Sequence, residues 1–178
     1  SRILRIWTQT LVPPTITITL YFLIFGTFIG DRVGEVNGVS YMAFIIPGLI
    51  MMAVINNSYS NTVSSFFGAK FQKSIEELLV SSTSTLTIIM GYVVGGMFRG
   101  LAVGVLVTII SLLFNIFTIH NAFVLLSVVL LTSFMFSLGG LINSMFAKRF
   151  DDVMIVPTFV LLPLIYLGGV FFSINQLS

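Results

Sequence analysis

The groups able to do chemistry in this chain stand mostly inside apolar surroundings. Between residues 56 and 65 an otherwise hydrophobic run carries Asn56, Asn57, Ser58, Ser60, Asn61, Thr62, Ser64 and Ser65. On a helix, Asn57, Asn61 and Ser64 share one face. An amide placed in hydrocarbon needs a partner or water, at a cost of kcal/mol order otherwise. That face therefore meets either another helix or a polar path for a substrate. Arg99 is the only charge within an apolar run. A cation at mid-bilayer costs roughly 2.5–3.5 kcal/mol on insertion scales. The run 88–117 would be about 45 Å long at 1.5 Å per residue. Its first turns are thus expected along an interface where Arg99 snorkels, the alternative being a cavity that Arg99 faces. Around it lie Gly91 and Gly95, then Gly96, Gly100 and Gly104. Glycines four apart let a second backbone approach closely, so their expected role is helix packing.

A second group of polar residues lies in the connection 68–87. Phe71, Ile75, Leu78 and Leu79 fall at i, i+4, i+7 and i+8, one stripe of a helix. Lys70, Lys73, Ser74, Glu76 and Glu77 occupy the remaining faces. The pattern fits an interfacial helix with solvated charges, or a docking helix presenting Glu76 and Glu77 to a soluble partner. Asp151 and Asp152 sit beside Lys148 and Arg149, where carboxylates suit a helix N-terminus. A metal-binding D-D-x-x-D would need an acid where Ile155 stands, so no metal site is expected. The chain has no G-x-x-x-x-G-K-[ST], H-E-x-x-H or G-x-S-x-G pattern and no cysteine. It is therefore not expected to be an enzyme. All six acids lie in connections, which disfavours an ion-coupled carrier.

The elements that must position these groups follow from composition. Of 178 residues, 57% are hydrophobic and 8% charged, and the mean hydropathy is +1.10. Soluble domains carry about a quarter charged residues, so this chain belongs in a membrane. A span needs about 20 apolar residues. The runs 11–29, 41–67, 92–117, 122–146 and 153–172 qualify. They are continuously apolar without alternation, which excludes a β-barrel. The expected fold is an all-α membrane protein, one polytopic bundle of five transmembrane helices over residues 1–178. Pro13 and Pro14 are expected in the first turn of the first span, and Pro157 and Pro163 are expected to kink the fifth. Arg2, Arg5, Lys70, Lys73, Lys148 and Arg149 fall on one side, which predicts a cytoplasmic N-terminus. The small basic excess gives no argument for nucleic acid.

Several stretches resemble the type-2 ATP-binding-cassette exporter permeases of bacterial inner membranes. These are Pro47-Gly48-Leu49-Ile50-Met51-Met52, the run Lys70 to Val80, Phe146-Ala147-Lys148-Arg149-Phe150-Asp151-Asp152, and Leu167-Gly168-Gly169-Val170-Phe171-Phe172. The resemblance implies a subunit of six spans, the chain here being cut short at both ends. It implies a homodimer of permease subunits in the lipid, each bound to a cytoplasmic ATPase subunit that holds ATP and Mg, with no cofactor in this chain. Carried over, residues 70–80 form a cytoplasmic coupling helix, with Lys70, Phe71, Lys73, Ile75, Glu76, Glu77 and Leu78 as ATPase-coupling residues. Asn57, Asn61, Ser64, Arg99, Pro157 and Pro163 become substrate-path residues. Ser82 and Ser84 depart from the prolines common after that helix in the family. The expected function is ATP-driven export of an amphipathic drug, lipid or glycan. The alternative is a non-transporting assembly or sensor module that docks a cytoplasmic partner.

Overall fold

In a computed structural model the described residues are 2–25, 34–36, 38–113, 121–168 and 170. The protein is an all-α polytopic membrane protein. Among the described residues, four helices are long and apolar enough to cross a membrane, at Tyr41–Phe71, Thr85–Leu112, Ala122–Phe146 and Phe150–Leu167, with a shorter apolar stretch at Val12–Leu23. Residues 26–29, 114–117, 169 and 171–172 of the expected spans lie outside the described residues.

Helix α1 runs Arg2–Leu23 with Pro13 and Pro14 inside it. The expected first-turn placement of these prolines is thereby corrected. The helix starts well before the apolar run, so both rings fall about three turns in. The Thr17 hydroxyl donates to the Pro13 carbonyl at 3.0 Å. A small antiparallel ladder follows, β1 (Glu35–Val36) and β2 (Val39–Ser40), with Glu35 opposite Ser40. Gly38 closes its turn at φ 77°, a conformation that costs glycine nothing. The Ser40 hydroxyl then accepts from the Ala43 N–H and caps the next helix.

That helix, α2 (Tyr41–Phe71), is the centre of the molecule. Ile45, Ile46, Leu49, Ile50 and Val54 along it are buried. It packs lengthwise against α4 (Thr85–Leu113) and α5 (Ala122–Phe146), which also touch each other. Helix α2 extends past the expected end at residue 67 and stops only because Lys73 turns to φ 60°. This left-handed residue ends one helix and starts another, α3 (Ser74–Val80). The single helix expected over residues 70–80 is therefore divided, and its second part covers only Ser74–Val80. Lys70 and Phe71 belong to α2, and Lys73 is the hinge residue between the two helices.

Helix α4 begins at Thr85 rather than 92 and is continuous through Arg99. The first turns therefore do not peel away, and Arg99 sits midway along the helix. The last span consists of three pieces, α6 (Phe150–Val156), a π-helical turn Pro157–Leu161 and α7 (Leu162–Leu167). In the π turn the Leu162 N–H donates to the Pro157 carbonyl five residues back. Pro163 has no N–H to return to the Phe159 carbonyl, so the ladder widens there instead of continuing in α register.

Candidate functional site

Among the described residues, three groups of polar contacts involve the residues singled out in the sequence. The first is a seam between α2, α4 and α5. The Ser58 and Ser133 hydroxyls share a hydrogen bond of 2.9 Å, and Ser133 also reaches the Met97 carbonyl at 3.3 Å. The Thr62 hydroxyl donates to the Ser58 carbonyl at 3.1 Å. All of these side chains are fully buried. They fit because the facing helix has no side chains there. A methyl group on Gly96 would meet the Thr62 hydroxyl and come within 2.7 Å of the Ser137 hydroxyl. One on Gly100 would collide with the Ser58 hydroxyl, and one on Gly104 would lie 2.8 Å from Val54. Gly91 has nothing within 4 Å and Gly95 only the Asn61 amide at 4.0 Å, so these two glycines stand outside the seam. The reading from sequence missed the α5 side of this contact. Its signal is Ser133, Ser137, Gly140 and Ser144, small residues at i, i+4, i+7 and i+11 on one helix face. At Gly140 an added carbon would lie 2.7 Å from the Tyr59 carbonyl.

The second group surrounds α3. The Lys70 ammonium donates to the carbonyls of Met145 and Ala147 at 2.8 Å each, and to that of Ser144 at 3.5 Å. These are the terminal carbonyls of α5, which lack helical partners and carry the negative end of its dipole. Lys70 thus ties the end of α2 to the end of α5. The Phe71 ring meets Phe67 and Phe150, the latter with centroids 5.0 Å apart in an edge-on arrangement, yet it stays two-thirds exposed. Within α3 the Ile75 side chain is buried among Phe66, Val93 and Leu141. The Ser74 hydroxyl returns to the Ala69 carbonyl at 3.2 Å. Lys73, Glu76, Glu77 and Leu78 are exposed, as are Leu79 and Val80. A single inward residue therefore seats a short helix whose acidic and apolar remainder faces outward.

The third group lies around Arg99. Its Nη1 donates to the Asn61 side-chain carbonyl at 3.3 Å, and its Nε is buried with no hydrogen-bond partner. Asn57 donates to the Ala53 carbonyl at 2.9 Å. Arg99 and Asn57 line a cavity of about 340 Å³ whose other walls come from Pro13, Thr17 and Tyr21 of α1 and from Met52 and Ser60 of α2. Among the expected path residues, the fold thus brings Asn57, Asn61 and Arg99 together. Ser64 stays on the exposed side of α2, its hydroxyl bonded back to the Ser60 carbonyl. Pro157 and Pro163 line neither this cavity nor a second, largely apolar one of about 340 Å³ between α2 and the last span. Pro163 is exposed. Among the described residues no three His, Cys, Asp or Glu side chains cluster to hold a metal.

A bundle of apolar helices fastened by a small-residue seam, with a short exposed helix at one end, is the architecture of a polytopic membrane protein. The whole chain, residues 1–178, matches the ABC-2 type transporter family, and it belongs to that family. It is 63% identical over 177 residues to the inner membrane transport permease YadH of Escherichia coli strain K12, covering 99% of this chain and 69% of that relative. It is 24% identical over 159 residues to nodulation protein J of Rhizobium leguminosarum bv. viciae, covering 89% of this chain and 61% of that protein. No solved structure matches it. Members of this family are membrane subunits of transporters rather than catalysts.

Proposed function

We propose that the chain is the transmembrane subunit of an ATP-driven exporter, and that α3 is the contact through which a separate cytoplasmic ABC ATPase moves it. The observation that carries this reading is the seating of α3. Ile75 is buried in the bundle, while Glu76, Glu77, Leu79 and Val80 face away from it beside the exposed Phe71. A helix that only had to lie in the interface would turn its apolar stripe to lipid and its charges to water. Here acidic and apolar groups are presented side by side, as a protein groove would take them. ATP and Mg belong to the ATPase, and this chain contributes the docking surface.

The orientation in this proposal follows from charge. Arg2, Arg5, Lys70, Lys73, Lys148 and Arg149 all precede or follow spans on the α3 side, so that side and the N-terminus are cytoplasmic. Similarity to the Escherichia coli inner membrane transport permease supports an inner-membrane location. The outward apolar residues of α5 and of the last span, among them Leu131, Met135, Phe159 and Leu164, are exposed. They meet lipid and a second copy of the subunit, with the substrate path between two such copies. The cargo class is an amphipathic drug, lipid or glycan.

The test is affinity purification of the full-length protein in mild detergent with identification of what accompanies it. A P-loop ATPase should appear in near-equal amount, and Glu77→Arg should reduce its recovery without changing membrane insertion. Unchanged recovery and unchanged stimulated ATP hydrolysis in the variant would remove Glu77 from the contact. Reproducible absence of any ATPase beside folded protein would favour an assembly or sensor module.

A further inference from the structure

We propose that the cavity between α1, α2 and α4 binds the anionic headgroup of an amphipathic molecule, with Arg99 as its counter-ion. The guanidinium has five N–H donors in a fixed plane. Asn61 accepts from one nitrogen at 3.3 Å, and Nε is buried without a partner. The described acidic side chains outside the ladder, Glu76, Glu77, Asp151 and Asp152, all stand at the α3 end of the bundle, and none lines the cavity. A positive charge midway along α4 therefore faces a cavity with the neutral Asn61 amide as its partner. Charged groups within spans pair with an opposite charge or face a ligand path. A carboxylate or phosphate group matches the guanidinium fork in shape and in charge.

The walls set the rest of the ligand. Asn57 uses one amide N–H on the Ala53 carbonyl and retains a second, which adds a neutral donor to the charged ones. Pro13, Ile18 and Met52 give the wall an apolar part beside the polar Thr17, Asn56 and Ser60. The volume of about 340 Å³ is at the small end for ligand cavities, room for a headgroup and the first part of an acyl or alkyl chain. A neutral amphiphile would leave the cation unpaired, and a metal cation would be repelled. The inference depends on this geometry and not on α3, so it stands or falls separately from the ATPase docking.

The experiment uses the full-length protein in phosphatidylcholine nanodiscs with radiolabelled dodecyl phosphate as probe and dodecanol as the uncharged competitor. Saturable binding is expected that dodecanol does not displace. Arg99→Gln should weaken it by at least about tenfold, the scale of one lost charge-assisted contact, while Arg99→Lys keeps most of it. Thr17→Phe, which fills the cavity from the exposed side of α1, should weaken binding with the cation intact, and it carries the test should Arg99→Gln fail to fold. Two sources of the anion are then told apart. Phosphatidylglycerol retained from cells by the wild type and lost from Arg99→Gln identifies a resident lipid. Nucleotide-dependent movement of dodecyl phosphate, lost in the same variant, identifies cargo. Either result supports the site. No saturable binding by the wild type, or equal binding by folded Arg99→Gln and Thr17→Phe, overturns it.

Discussion

At Gly100 a single methyl group has nowhere to go, because the Ser58 hydroxyl occupies its place and Ser133 lies 3.2 Å away. Gly100→Leu should therefore lower the thermal unfolding midpoint of the full-length protein in detergent. The loss should be at least the ~1–3 kcal/mol usual for overpacking. Gly91→Ala is the control, since Gly91 has open space around it. It should be neutral or stabilising by up to about 1 kcal/mol, the helix-propensity gain. A wild-type midpoint for Gly100→Leu would mean that α2 and α4 do not approach closely there. The four-residue spacing of these glycines was legible in the sequence, but not which of the two registers was used. Gly95 and Gly96 differ by one residue, about 100° around the helix. Only the hydroxyls of Ser58 and Thr62 on the opposite helix decide between them.

Among the elements, the least legible feature was the end of α2. The charge and apolar pattern of residues 70–80 reads as one amphipathic helix, and the chain divides it at Lys73. A left-handed lysine gives no signal, since glycine and asparagine are the residues that announce that conformation. The partners of Lys70 were illegible for a related reason. Its partners are carbonyls some 75 residues further along, at the end of α5, and no local pattern reports such a contact. Lys70→Met should strand those carbonyls at a cost of about 1–3 kcal/mol. The readout is faster amide exchange in the last turn of α5, together with a lower unfolding midpoint. Exchange there equal to the wild type would show that water already satisfies those groups. The spans themselves were readable because they are defined by length and apolarity alone. Their ends were not, because helix termini depend on caps and tertiary partners.

For the whole molecule, burial is concentrated on α2. Ile45, Ile46, Leu49, Val54, Ser58 and Thr62 are shielded through the middle of the bundle, whereas α5 and the last span show wide apolar faces outward. Amide exchange of the full-length protein in nanodiscs should accordingly be slowest along the middle of α2 and faster in α1 and α7. If α1 exchanged as slowly as α2, the bundle would be organised around a different axis. The Lys70 tether also has a mechanical consequence. Lys70 grips the end of α5, and the rings of Phe67 and Phe71 meet Phe150 at the start of α6. Three spans thus share one hub, and α3 adjoins it across Gln72 and Lys73, seated against the bundle by Ile75. Under load on α3, the near ends of α2, α5 and α6 are expected to move in the same stroke.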